Sequence, residues 1–284
     1  MELWHDRILV LDFGSQYTQL IARRIREAQV YSQILPCTVP LATVLAYRPK
    51  GIVLSGGPSS VYDKQAPSVS EELFQLGIPI LGICYGMQLI THLQGGEVVK
   101  APHREFGRAE LHIDDRSDLF KNVGSGSSTV VWMSHGDRIE RMPSGFRSIA
   151  HTDNSPIAAI KRHDAKQRIY CLQFHPEVAH TTEGTTILKN FVYDICCCKP
   201  TWTMRSYVET AVEQIRQQVG TERVICALSG GVDSSVAAAL THRAVGDQLS
   251  CIFVDNGVLR AGERDQVEKT FASQLHLNMR ILDC

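Results

Sequence analysis

The sequence has almost no net charge, no long apolar run and no internal repeat. Its formal net charge is −1 over 284 residues, so nothing in its composition predicts binding to nucleic acid or to a membrane surface. The N-terminal apolar run, Ile8–Leu11, stops at Asp12 and is too short for a signal peptide or a membrane span. The length and the 44% hydrophobic content instead predict about two globular domains with substantial cores.

Paired metal-binding cysteines are also missing. The chain has nine cysteines, three of them consecutive at Cys196–Cys198, but no Cys-x-x-Cys spacing. Adjacent cysteines cannot easily all turn toward one zinc ion, which favours free thiols over a metal site. We expect free thiols in a reducing compartment, which predicts a cytoplasmic protein.

A glycine- and serine-rich turn follows the apolar run Val224–Leu228 and precedes a helix-forming segment. Glycine lets the backbone approach a ligand closely, and the N-terminus of the next helix presents free N–H groups and a positive dipole end. The pattern therefore predicts a phosphate or pyrophosphate site, although the Gly-Lys-Ser/Thr of a Walker A loop is missing. An ordinary turn is the alternative, but such turns seldom carry this many hydroxyl groups. The predicted ligand-binding residues are Ser229, Gly230, Gly231, Val232, Asp233, Ser234 and Ser235.

A candidate nucleophile lies in the Gly-x-Cys-x-Gly segment Gly82–Gly86, between a predicted buried strand and a predicted helix. Glycines two residues to each side of Cys84 relieve crowding in a sharp strand-to-helix turn, the form of a nucleophile elbow. The nearby helix N-terminus favours a thiolate, which matters because an unperturbed thiol has a pKa of about 8.5. A buried cysteine is more often plain packing, but the two glycines favour the nucleophile.

A candidate base follows the predicted strand Arg168–Phe174, which ends in His-Pro-Glu. Pro176 keeps this segment extended, so His175 and Glu177 on either side of it can come within hydrogen-bonding distance. His175 would take the proton of Cys84, and Glu177 would orient the imidazole ring. Taken alone, His175 would more often be a structural or surface histidine.

A third segment supplies candidate oxyanion donors. The predicted strand Gly51–Ser55 is followed by Gly56-Gly57-Pro58-Ser59, and a glycine loop there can turn a backbone N–H toward a reacting carbonyl. The N–H groups of Gly57 and Tyr85 are the predicted donors, each worth roughly 3–4 kcal/mol in a transition state. A simple turn is the alternative.

The segments Gly82–Gln88, Ser55–Pro58 and Gln173–Glu177 together resemble the class I glutamine amidotransferases, over roughly residues 7–195. The resemblance implies hydrolysis of glutamine to glutamate and ammonia through a thioester, with Cys84, His175 and Glu177 as the triad. It also implies that the substrate is held by Gln88 and by a loop that binds mostly through its backbone. The glutamine-binding residues implied are Gln88, Ser134, His135, Gly136 and Asp137.

The loop Ser229–Ser235 resembles that of the ATP pyrophosphatases, and Asp12–Tyr17 and Val254–Gly257 are also found in enzymes that combine both activities. The combination implies an enzyme that adenylates an acceptor with ATP and Mg²⁺, releases pyrophosphate, and uses ammonia to displace AMP. The implied partners are glutamine, ATP and a small acceptor. Such enzymes continue beyond this sequence, so we expect a truncated chain limited to the glutaminase half, with a homodimer contact in the absent region.

We therefore predict an α/β protein with two domains. Residues 1–198 would form a flavodoxin-like open mixed sheet, 199–203 a linker, and 204–284 an incomplete parallel α/β ATP pyrophosphatase domain. Within these domains the sequence predicts helix 68–76, short strands within 107–174, one closing helix over 182–196, and helix 261–275. The segment 124–128 is predicted to be a turn without a ligand.

Three other functions stay open on the sequence. A different amidotransferase-fused synthetase would share both motifs and use another acceptor. A cysteine hydrolase or peptidase of related fold would use Cys84 and His175 without transferring ammonia. A non-enzymatic binding protein would carry an unreactive Cys84.

Overall fold

The computed structural model describes residues 6–124, 126, 128–164, 167–255, 257–258, 262–269, 271 and 277–283, without the side chains of residues 102–104 and 263. The chain forms two compact units, Met1–Trp202 and Thr203–Cys284. Within the described ranges, every helix is too short or too polar to cross a membrane. Of the segments singled out above, residues 125, 127, 256, 261, 270, 272–276 and 284 lie outside the described ones.

Within the described residues, the first unit is built on one sheet of nine strands. The strands are β1 Arg7–Asp12, β2 Tyr31–Pro36, β3 Gly51–Leu54, β4 Ile80–Ile83, β5 Glu97–Ile113, β6 Ser128–Arg141, β7 Arg147–His151, β8 Ala159–His163 and β9 Arg168–Leu172. Five strands, in the order β2-β1-β3-β4-β9, are parallel, and the order continues through β8, β7, β5 and β6 with antiparallel pairs. The parallel half has the order typical of flavodoxin-like sheets.

Apolar side chains cover both faces of the parallel half. In β1, Ile8 and Val10 enter one core cluster, while Leu9 and Leu11 enter the other. This is what the two-residue period of a strand produces when both faces are buried. Helices pack on the two faces: α1 Thr18–Glu27, α2 Leu41–Tyr47, α3 Tyr85–Leu93 and α4 Gly184–Lys189.

The expected fold class, a mixed α/β sheet followed by a smaller parallel α/β unit, is confirmed, but three elements differ from prediction. The helix expected over 68–76 is a 3-10 turn, Glu71–Gln75, that the Ser70 side chain caps and that ends before Gly77 at φ +71°. The short strands expected within 107–174 include two long ones, because β5 and β6 pair across a register shift after Lys100. The closing helix changes after α4 into a π-helical turn, Asn190–Ile195.

The second unit contains three parallel strands in the order β10-β11-β12. Thr203 caps its first helix, where its hydroxyl and that of Ser206 form a reciprocal capping box. Ile225, Val254 and Leu282 leave one face of the sheet exposed, at 72%, 43% and 47%. The elements are α5 Met204–Val219, β10 Val224–Leu228, α6 Val232–Val245, β11 Leu249–Asp255, α7 Glu263–Glu268 and β12 Met279–Asp283.

A buried lysine lies beside the antiparallel half of the first sheet. The Lys161 Nζ is 2.7 Å from a carboxylate oxygen of Asp115 and 2.9 Å from one of Asp118, and the Tyr170 hydroxyl donates to Asp118 at 2.8 Å. Burial raises the pKa of both carboxyl groups, but the hydrogen bonds and charge of Lys161 outweigh it and hold both values below the ordinary range. Both carboxylates are therefore ionised at neutral pH, and Lys161 supplies the positive charge between them.

We expect Lys161→Met to lower the free energy of unfolding by about 3 kcal/mol at pH 7, because two partly buried carboxylates lose their buried cation. Among the described residues, Asp115 keeps only the exposed Arg147 as a cationic partner, 2.6 Å away. A carboxyl group with a depressed pKa stabilises the fold above its ordinary pKa, 3.8 here, and loses that contribution as the pH falls. Urea unfolding should therefore show a smaller difference between variant and wild type near pH 3. Lys121→Met, which removes an exposed lysine paired with Asp194, should change stability little. A Lys161 effect equal at both pH values would contradict this explanation.

Candidate active site

Cys84 occupies a strained turn between β4 and α3. Its φ is +52°, a conformation uncommon for residues other than glycine and frequent at functional sites. The Cys84 N–H donates to the Leu172 carbonyl at 2.7 Å, which fixes the turn to the end of β9. The thiol therefore lies at the carboxyl edge of the parallel strands, where open α/β sheets bind ligands.

The flanking glycines make this turn sterically possible. A Cβ on Gly82 would lie 2.6 Å from Ile90 Cδ1 and 2.8 Å from the Gly86 carbonyl oxygen. A Cβ on Gly86 would lie 2.5 Å from the Leu54 carbonyl oxygen. Any larger residue at either position would push α3 away from β3 and β4.

His175 and Glu177 follow β9 and are both buried. The His175 Nδ1 is 2.7 Å from Glu177 Oε1, and the imidazole lies close enough to the Cys84 thiol to interact with it electrostatically. The Cys84 Sγ itself donates to the Ser134 carbonyl at 3.5 Å. The Tyr17 ring packs edge-on against the imidazole, with ring centroids 5.1 Å apart. The structure thus brings the three predicted catalytic side chains together.

The pKa of His175 is shifted upward. Burial alone would lower it, but the hydrogen bonds and negative charges of Cys84 and Glu177 raise the pKa to about 10. The imidazole ring is therefore positively charged at neutral pH, and the Glu177 carboxylate fixes the orientation of the ring.

The candidate oxyanion donors lie next to the thiol. A Cβ on Gly57 would be 2.7 Å from the Phe13 carbonyl oxygen and 3.4 Å from Tyr85 Cγ, so the loop after β3 packs directly on the first residue of α3. Its neighbour Gly56 lies against the triad, because a Cβ there would be 3.2 Å from His175 Cε1 and 3.6 Å from Cys84 Cβ.

A cavity of about 360 Å³ opens beside Cys84. All five residues that the resemblance implies for glutamine binding line it, together with Cys84 and Gly57, whereas Tyr85, His175 and Glu177 do not. Its lining residues are Gly57, Pro58, Ser59, Ser60, Cys84, Gln88, Phe106, Ser134, His135, Gly136 and Asp137.

The side chains of Gln88 and His135, both implied in glutamine binding, bond to protein atoms. The Gln88 Nε2 donates to the Asp137 carbonyl at 3.1 Å, and the His135 Nδ1 lies 2.9 Å from the same oxygen. The His135 Nε2 is 3.2 Å from a carboxylate oxygen of Glu105. The side-chain nitrogens of Gln88 and His135 thus hold the β6 segment Ser134–Asp137, which lines the cavity.

Sequence reasoning missed four residues of this region. The Gln173 Nε2 lies 3.9 Å from Cys84 Sγ, the Ser60 hydroxyl donates to the Asp137 carboxylate at 2.7 Å, and Phe106 stands exposed at the cavity rim. Glu105 lies behind His135. Gln173 could have been found from its place in the His-Pro-Glu segment, whereas the other three depend on long-range pairing of β5, β6 and the loop after β3.

The glycine–serine loop lies in the second unit, between β10 and α6. Gly230 has a φ of +75°, and the Ser235 hydroxyl donates to the Gly231 carbonyl at 2.6 Å. The Ser229 and Ser234 hydroxyl oxygens lie 3.0 Å apart. The loop is exposed on the N-terminus of the 14-residue α6, and within the described ranges no group of three or more His, Cys, Asp or Glu could hold a metal ion.

A cysteine on a strained strand-to-helix turn, a buried His–Glu pair and an adjacent cavity form an arrangement that is typical of α/β cysteine hydrolases. Residues 9–195 match the family model "Glutamine amidotransferase class-I", and the chain belongs to the class-I glutamine amidotransferase family. Residues 204–284 match the model "NAD synthase".

Curated relatives cover both units. The chain is 54% identical over 276 residues to "GMP synthase [glutamine-hydrolyzing]" of Nostoc sp., across 97% of this chain and 50% of that protein. It is 52% identical over 278 residues to the protein of the same name from Carboxydothermus hydrogenoformans, across 98% and 54%. The chain thus spans about half the length of the curated relatives it matches.

A solved structure resembles the first unit. A putative GMP synthase subunit from Thermoplasma acidophilum is 34% identical, with a TM-score of 0.56, across 68% of this chain and 94% of that one. A glutamine amidotransferase from Thermotoga maritima, at 16% identity and a TM-score of 0.50 across 95% of this chain and 98% of that one, supports the fold alone.

We expect Glu177→Gln to lower the pKa of His175 from about 10 toward its ordinary 6.5, because the carboxylate charge is removed. A raised pKa stabilises the fold fully below 6.5 and loses that contribution as the pH rises through 10. The variant should therefore lose about 2 kcal/mol of unfolding free energy at pH 6 and less at pH 10. NMR titration of the ring nitrogens and urea unfolding measure both effects.

Glu71→Gln, at an exposed carboxylate, is the matched control and should change neither quantity. A stability difference for Glu177→Gln that grew between pH 6 and pH 10 would contradict the assignment of the raised pKa to this pair.

Proposed function

We propose that the first unit hydrolyses glutamine to glutamate and ammonia. The observation that carries the proposal is Cys84 on its strained turn, beside a buried and hydrogen-bonded His175–Glu177 pair and open to a cavity. Membership of the class-I glutamine amidotransferase family supports it independently.

The cavity suits a free amino acid. Asp137 brings a partly exposed carboxylate to the cavity lining, and its Ser60 bond leaves acceptor capacity for the substrate's α-ammonium group. Backbone groups of Ser134 and Gly136 would hold the carboxylate end. Gln88 and His135 would act by holding the Asp137 carbonyl, which lies in the same loop.

In the proposed reaction Cys84 Sγ attacks the side-chain amide carbon of glutamine. The N–H groups of Gly57 and Tyr85 stabilise the oxyanion, and His175 delivers a proton to the departing ammonia. A water molecule, deprotonated by His175, then cleaves the thioester to release glutamate and regenerate the thiol. Glu177 keeps the imidazole in one orientation through both steps.

Cys84→Ala should lower glutamine hydrolysis by about 1000-fold or more, because the covalent route is lost. Release of ammonia and glutamate is the measurement. Cys197→Ala, which removes an exposed cysteine, should leave the rate unchanged. Equal hydrolysis by wild type and Cys84→Ala would contradict the mechanism, and cleavage of other amides without any response to glutamine would favour the cysteine hydrolase or peptidase alternative.

We further propose that the complete protein is a glutamine-hydrolysing GMP synthase. ATP would adenylate the C2 oxygen of xanthosine monophosphate with release of pyrophosphate, and ammonia from the first unit would displace AMP to give GMP. The names of relatives more than 50% identical support this. The proposed substrates are thus glutamine, ATP and xanthosine monophosphate, and we also propose a cytoplasmic homodimer.

The proposed ATP site is the loop Ser229–Ser235 at the N-terminus of α6. Its backbone N–H groups and dipole favour the pyrophosphate part of ATP. Mg²⁺ binds proteins through one or two carboxylates together with substrate phosphates, and the exposed Asp233 in the first turn of α6 fits that role. Mg²⁺ would neutralise phosphate charge there.

Gly230→Ala should weaken ATP binding about tenfold, because a Cβ at positive φ costs about 1–3 kcal/mol and displaces the loop. Fluorescence titration with an ATP analogue measures it. Gly246→Ala is the matched control, since Gly246 has a φ of +56° at the other end of α6 with nothing within 4 Å of a Cβ. Equal affinities in the two variants would contradict the proposed site.

A further inference from the structure

Behind the glutamine cavity lies a buried polar cluster that the proposed reaction does not use. Its centre is Glu105 on β5, whose side chain is 8% exposed. The Thr152 hydroxyl donates to Oε1 at 3.1 Å, and the Ser155 hydroxyl donates to Oε2 at 2.8 Å. Both carboxylate oxygens are therefore hydrogen-bonded inside the protein.

The cluster reaches the cavity through a histidine ring. The His135 Nε2 lies 3.2 Å from Glu105 Oε2, and the Nδ1 lies 2.9 Å from the Asp137 carbonyl oxygen. Because the ring is almost fully buried, a rotation would leave two buried polar groups without partners. Glu105 thus fixes the orientation of the His135 ring, and the ring fixes the backbone of the β6 segment Ser134–Asp137.

The same backbone carbonyl is held from a second side. The Gln88 Nε2 on α3 donates to it at 3.1 Å, and α3 begins directly after Cys84. The Asp137 carbonyl therefore accepts hydrogen bonds both from α3, which begins directly after Cys84, and from the ring that Glu105 holds. The position of this carbonyl sets the distance between the β6 segment Ser134–Asp137 and the Cys84 thiol.

We propose that Glu105 is a positioning residue for glutamine binding, acting through His135 on the β6 segment Ser134–Asp137. The inference rests on the proposed glutaminase function. Glu105 lies outside the cavity lining and the triad, so its removal displaces the β6 segment. The His175–Glu177 pair is unaffected, and Cys84 meets the segment only through the 3.5 Å contact of its Sγ with the Ser134 carbonyl. Loss of Glu105 therefore raises KM for glutamine more than it lowers kcat.

The experiment compares the wild-type chain with Glu105→Ala, Glu105→Gln and Glu110→Ala. Glu105→Ala should raise KM about 10-fold to 100-fold, and it should change kcat and the rate of Cys84 alkylation by iodoacetamide less than about threefold each. Glu105→Gln keeps acceptor capacity for Thr152 and Ser155 and should restore most of the affinity. Glu110→Ala, at an exposed carboxylate on the same strand, should match wild type.

A second readout does not depend on turnover. Amide hydrogen exchange of Gly136 and Asp137 should be faster in Glu105→Ala and unchanged in Glu110→Ala. The double variant Glu105→Ala/His135→Asn should show no larger KM than the weaker-binding single variant, since both act through one ring.

The outcomes separate the two proposals. A folded Glu105→Ala chain with wild-type KM and wild-type exchange would overturn the positioning role while leaving the glutaminase proposal standing. A rise in KM accompanied by equally large falls in kcat and in the alkylation rate would also overturn it, because these changes together would indicate general damage to the fold. A wild-type chain that neither binds nor hydrolyses glutamine would overturn the proposed function and, with it, any role of Glu105 in glutamine binding.

Discussion

The strained backbone at Cys84 is the constraint on which the rest of the first unit depends. A non-glycine residue at φ +52° is costly by about 1–3 kcal/mol and persists only where its surroundings leave no alternative. Here the surroundings are the Leu172 carbonyl, which accepts the Cys84 N–H, and the Leu54 carbonyl, against which Gly86 packs without a side chain. The strands on both sides of β4 thus hold the turn in place.

The two halves of the nine-stranded sheet contribute different parts of the site. The parallel half carries the thiol, the imidazole and the glycine loop at its carboxyl edge. The antiparallel half contributes β6, whose residues Ser134 and Gly136 form the cavity wall. Thr181 joins the halves, since its hydroxyl donates to the His175 carbonyl at 2.6 Å and accepts the Trp132 N–H at 3.0 Å.

Local patterns were enough to predict the parallel half and the residues nearest the thiol. Strand, turn and helix around Cys84 are encoded within a few residues, and so is the spacing of His175 and Glu177. The β5–β6 hairpin was not predictable in the same way, because its register depends on partners about 30 residues apart, such as Glu105 and His135. For the same reason the sequence placed His135 among ligand-binding residues without showing that Glu105 and the Asp137 carbonyl take up both ring nitrogens. The helix expected over 68–76 was wrong because only residues 71–76 lie between the Ser70 cap and Gly77, which leaves too little length for an α-helix.

The exposed face of the three-stranded sheet has a consequence for handling the chain in solution. Val254 and Leu282 are direct partners on β11 and β12, and Ile225 pairs with Ser250, which lies four residues before Val254 on the same face. This face therefore exposes several apolar side chains. Surfaces of this kind bind detergents, hydrophobic dyes and one another. The chain should therefore self-associate as its concentration rises, which light scattering detects. A mild non-ionic detergent and a low protein concentration limit this self-association, so that the first unit can be studied without interference from the second.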